Sequence, residues 1–200
     1  MLGPAFYLGG VQDLANLGRV NIALSRLCLD KVFLKKLIRR NLELVLRLYG
    51  VNYQGFSTML SRSKSVLSGS TVLQCVSGDL FLMQDLKLSC TDLDIYVPYD
   101  MTDYVMDFFV RECGYEVYSS NLSVYVPLVD GVYQVNHETK GRRLDLVIMR
   151  PHIPPKAAIA QFDFSFLMSL FDGMSFHMWF PGDIISKSGF CNEVLLLLSF

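Results

Sequence analysis

From Thr91 to Pro98 the chain reads TDLDIYVP, with Asp92 and Asp94 alternating against Leu93, Ile95 and Val97. A period of two is that of a strand, so both carboxylates are expected on one face and the apolar side chains on the other. Pro98, which cannot donate to a ladder, is expected to end it. The alternation returns in Arg142–Met149, where Asp145 shares a face with Arg143 and Val147 while Leu144, Leu146 and Ile148 point the other way. Shorter strand signals fall at 65–67, 115–118, 123–127 and 132–137, and Asp130-Gly131 has the composition of a hairpin turn between the last two.

Helical spacing is interleaved with these strands. From about Val20 to Tyr49 apolar residues recur at three and four, among them Leu24, Leu27, Leu34, Leu42 and Tyr49. That spacing predicts one amphipathic helix, or two with a break, ending at Gly50. Shorter helices are expected at 56–62, from Ser70 to about Val76, over 101–113 with Gly114 as cap, and from Pro154-Pro155 to Gln161. Residues 1–18 read as a loose lead-in and 77–90 as a connection, while 162–171 suits strand or helix. Trp179, Phe176 and Phe180 are expected in the core.

Composition narrows the class. Hydrophobic residues make up 52% of 200, ample for one domain's core. No run of about 18 apolar residues occurs, so a membrane span is not expected. The N-terminus lacks the basic start of a signal peptide. Five scattered cysteines (Cys28, Cys75, Cys90, Cys113, Cys191) form no CxxC pair, which suits reduced thiols in the cytoplasm or nucleus. The net charge of −1 is unevenly placed: residues 26–47 hold seven basic residues against two acidic ones, a local +5. That segment is either a solvated helix face or a phosphate-facing arm with RNA as a possible partner.

Three features carry candidate chemistry. Two aspartates on one strand face lie roughly 6–7 Å apart at Cα, and their charges repel unless a cation sits between them. Hard oxygen ligands of this kind suit magnesium or manganese; the plain alternative is an acidic edge strand. In Leu67-Ser68-Gly69-Ser70 a strand turns into a helix, so Gly69 can let backbone approach a ligand and Ser70 sits where a helix N-terminus favours phosphate. The plain alternative there is a serine-capped turn. Asp145 stands among apolar positions and needs a partner, which is a metal or one of Lys140, Arg142 and Arg143.

A Gly-Ser turn opening a helix, an Asp-x-Asp strand and a third aspartate on a later strand resemble the nucleotidyltransferase superfamily that includes DNA polymerase beta and poly(A) polymerases. The series Ser68-Gly69-Ser70-Thr71, Asp92–Pro98 and Phe162–Ser165 is similar to that of nucleotidyltransferase-like proteins of fungi, over about residues 57–180. The resemblance implies an α/β (α+β) fold: a mixed twisted sheet flanked by helices, with an N-terminal helical arm. It divides the chain into a basic amphipathic arm (1–50), a nucleotidyltransferase-like core (51–180) and a C-terminal extension (181–200). It implies that Asp92, Asp94 and Asp145 are catalytic and hold magnesium or manganese, while Gly69 and Ser70 bind the nucleotide. The implied reaction moves a nucleoside monophosphate from an NTP to a hydroxyl acceptor. Asp163 is assigned a turn or capping role. The long gap from Ser70 to Asp92 and the short stretch after the last family-like segment suit the alternative, a catalytically inactive module that binds nucleotide, RNA or a protein partner.

Overall fold

The structure, a computed structural model, describes residues 31–77, 92–121, 127–137, 141–162 and 164–181. The part of the N-terminal helix expected before residue 31, the connection at 78–90, most of the strand expected at 123–127, Asp163 and the extension beyond 181 lie outside the described residues. So does the side chain of Asp92, whose backbone is described.

The described strands are β1 (Val66–Ser68), β2 (Asp92–Val97), β3 (Glu116–Asn121), β4 (Val129–His137), β5 (Arg142–Met149), β6 (Ser169–Phe171) and β7 (Phe176–Met178). They form one mixed sheet in the order β3-β4-β5-β2-β1-β6-β7. Strands β2 and β5 run parallel, and the other pairings are antiparallel. The alternation in the two central strands has the expected consequence. Leu93, Ile95, Leu144 and Leu146 are fully buried on one face, where they join the main core. Each such side chain contributes about 1.5–3 kcal/mol by leaving water.

The helices that cover this face are α1 (Lys31–Leu48), α2 (Tyr53–Ser63), α3 (Ser70–Ser77) and α4 (Thr102–Asp107), the last running on as a π-helical turn over Phe108–Glu112. Helix α1 inserts Ile38, Leu42, Val45 and Leu46 into the core, and Asn41 Nδ2 donates to the Cys75 carbonyl of α3 at 2.9 Å. Its basic residues Lys35, Lys36, Arg39, Arg40 and Arg47 are exposed, as the helical spacing requires. Helix α2 starts where Asn52 Oδ1 accepts the N–H groups of Gln54 and Gly55. Tyr115, expected to open a strand, instead closes the core before β3: it is buried and its hydroxyl donates to the Tyr49 carbonyl at 2.6 Å.

Two further expectations are corrected. Asp130-Gly131 is no hairpin turn; it lies inside β4, where the register against β5 shifts between Val129 and Gly131. An exposed Asp beside a buried Gly accommodates a bulge, which looks in sequence like the same dipeptide in a turn. Trp179 is 43% exposed rather than in the core, while Phe176 packs on Phe171 with ring centroids 4.6 Å apart.

Among the described residues, the opposite sheet face is only partly covered. Helix α5 (Pro155–Ile159) lies on it, and Ile159 packs with Val66 and Leu170 against Tyr96 and Phe162 in a small second core. Candidate chemistry sits on this face, beside that cluster.

Candidate active site

Parallel pairing of β2 and β5 sets Asp94 directly opposite Asp145, and Asp92 opposite Arg143. Paired residues in a sheet share a face, so Asp94, Asp145 and Arg143 project away from the main core, and Asp92 falls on the same face by its backbone register. The adjacent register extends the row: Ser68 of β1 pairs with Asp94, and Gln134 of β4 pairs with Asp145. Two residues along, Tyr96 pairs with Val147 and begins the apolar part of the same face. One line across four strands therefore reads Ser68, Asp94, Asp145, Gln134.

The Gly-Ser turn meets this line at Asp94. Gly69 follows β1 directly, has φ +77° and is buried, and a methyl group built on it would collide with Asp94 Oδ2. The glycine is thus required twice: the left-handed backbone favours it, and only hydrogen leaves room for the carboxylate. Ser70 then starts α3 and is exposed. Ser68 Oγ turns to the far strand and donates to the Ser169 carbonyl at 2.5 Å, tying β1 to β6.

Electrostatics of the pair follow from this placement. Carboxylates on directly opposed residues of neighbouring strands, about 5 Å apart, repel by about 3 kcal/mol at an effective dielectric near 20. Arg143 offsets part of this: its Nε lies 3.3 Å from Asp145 Oδ1, and its Nη2 lies 3.5 Å from Oδ2. Both contacts are long for a bidentate fork, and the Arg143 side chain is 41% exposed against 17% for that of Asp145. The field of both aspartates is registered by Tyr96: burial first, then the charges of Asp94 and Asp145, raise the pKa of its phenol. The hydroxyl is a neutral donor at any physiological pH.

Of the residues expected at the site, Gly69, Asp94 and Asp145 come together, Ser70 lies at the adjoining helix start, and Asp92 is on the same strand face by its backbone register. Among the described residues no group of three His, Cys, Asp or Glu side chains is gathered for a metal ion. The described donor set is the two carboxylates of Asp94 and Asp145. Its chemistry fits a hard divalent cation: oxygen ligands, like-charged and on one sheet face.

No protein-family model, no curated protein and no solved structure matches this chain.

What remains is the geometry itself. Sequence reasoning gave no role to Ser68 and Gln134 of the row, or to Tyr96 beside it. Tyr96 was signalled by its spacing of two from Asp94, whereas Ser68 and Gln134 depend on pairing between distant segments. The described cysteines, Cys75 and Cys113, pack with the main core and not on this face. Cys75 is buried in the main core, and burial followed by the charge of Glu112 pushes the Cys113 thiol up to about 11. Among the described residues no helix is long and apolar enough to cross a membrane.

Proposed function

We propose that this chain is a metal-dependent nucleotidyltransferase that moves a nucleoside monophosphate from an NTP to a hydroxyl group of an acceptor. The observation that carries the reading is the direct pairing of Asp94 with Asp145 on parallel strands, with Gly69 of the strand-to-helix turn packed on the Asp94 carboxylate. The two side chains, with Asp92 from the same strand face, would hold magnesium or manganese. Such an ion, when bound, supplies Lewis-acid polarisation of the phosphate and charge neutralisation.

The remaining steps belong to the chain's own groups. The first turn of α3, entered through Gly69 and Ser70, directs backbone N–H groups and the positive end of the helix dipole toward the space beside Asp94, where a triphosphate would lie. Asp145 orients the acceptor hydroxyl and accepts its proton as the oxygen attacks the α-phosphorus. The new P–O bond forms while the bond to pyrophosphate breaks, in line. Tyr96 excludes water from the lower side of the face and offers a neutral hydroxyl.

A second reading is favoured by one observation. Arg143 already lies against Asp145, a placement that suits a module of the same fold that binds nucleotide or a partner without transferring anything. Incubation with α-labelled NTPs, manganese and a lysate as acceptor separates the two. The transferase labels an acceptor, and Asp145→Asn abolishes the label. Nucleotide binding without transfer to any acceptor identifies the module, and absence of both removes the nucleotide reading.

A further inference from the structure

On the opposite side of the sheet, between α1 and the β6–β7 hairpin, lies a cavity of about 550 Å³. It is separate from the aspartate pair. Phe171, on its wall, is in register with Leu67 and so points to the helix side, whereas Asp94 is in register with Ser68 and points away. The interior is apolar, formed by Ile38, Tyr53, Val76, Phe171, Phe176 and Met178. Its charged groups are all cationic and all come from α1: Lys35, Lys36 and Arg39, with no carboxylate on the described wall. Arg39 is already engaged, stacked 4.5 Å over the Tyr53 ring and 2.9 Å from Glu43. Lys35 and Lys36 are the exposed cations at the mouth.

We propose that this cavity binds a single-chain fatty acid, with its hydrocarbon between α1 and the hairpin and its carboxylate at Lys35 and Lys36. The volume is that of a ligand pocket for a molecule of this size, and the segregation of apolar wall from cationic rim matches an anionic amphiphile. This accounts for basic residues of α1 that the nucleotidyl-transfer reading does not use.

Calorimetric titration of the full chain with octanoate, decanoate and dodecanoate, below their micelle concentrations, tests it. Saturable one-to-one binding is expected, tightening about ten- to fifteen-fold for each two added methylenes, the value for burying them. Decanol should bind more weakly than decanoate. Lys35→Glu with Lys36→Glu, both surface changes, should remove that preference, and Met178→Trp should block binding by filling the cavity. Absence of saturation in the full chain overturns the proposal, whatever segment or partner covers the cavity. So does binding that ignores chain length, as an RNA-like polyanion site would show, or decanoate affinity unchanged by both variants. None of these outcomes bears on the aspartate pair.

Discussion

Substituting Gly69 by alanine perturbs the turn and the aspartate together, and the two contributions can be separated. The residue has φ +77°, and an L side chain in that left-handed region costs about 1–2 kcal/mol. The added methyl also collides with Asp94 Oδ2. Asp94 relieves the clash by turning its carboxylate off its preferred rotamer, a further cost of about 0.5–1.5 kcal/mol. The sum, about 1.5–3.5 kcal/mol, lowers Tm by roughly 3–14 °C in a chain of this size. Circular-dichroism melts and urea titrations of wild type, Gly69→Ala, Asp94→Ala and the double variant close a thermodynamic cycle. With the carboxylate removed, Gly69→Ala should cost only its backbone share, leaving a coupling of about 0.5–1.5 kcal/mol. An equal cost of Gly69→Ala in both backgrounds refutes the contact, and no cost in either refutes the left-handed turn as well.

Three further outcomes follow from particular contacts. Tyr115→Phe should lose about 1–2 kcal/mol in urea denaturation, because the buried Tyr49 carbonyl loses the hydroxyl 2.6 Å away; an unchanged midpoint would mean that another donor replaces it. Partial burial raises the pKa of Asp172, but the N–H groups of Ser175 and Met174 and the ring of His177 outweigh it and hold the carboxyl below its ordinary value. Its stabilising share is therefore present above about pH 4 and lost as pH falls below that. Asp172→Asn should flatten the acid limb of stability, and an unaltered limb would contradict the assignment. Arg143→Gln should destabilise the fold at low salt by up to about 1 kcal/mol, and the loss should shrink as salt screens the pair with Asp145. A loss independent of salt would mean that Arg143 acts by packing.

The parts of this fold legible in the sequence are those set by local periodicity. Alternation in β2 and β5 assigned Asp92, Asp94 and Asp145 to the polar side because a one-residue slip would bury charge. The leucine spacing of α1 likewise separated its buried and basic faces. What stayed illegible depends on pairing between distant segments. The parallel union of β2 with β5, which sets Asp145 opposite Asp94 across some fifty residues, was implied only by the family resemblance and not by the periodicity of either strand. The Asp130-Gly131 bulge was misread because a bulge and a tight turn ask for the same residues. Trp179 was placed in the core on hydrophobicity alone, which does not tell an edge from a centre.

The central claim is that Asp94 and Asp145 act together on one metal-bound nucleotide, and manganese(II) titration followed by electron paramagnetic resonance tests it most directly. Saturable binding to the wild type is expected, weakened more than about tenfold in both Asp94→Asn and Asp145→Asn, each of which keeps the side-chain shape while removing the charge. Binding of manganese by Asp145→Asn as tight as by the wild type would contradict the claim.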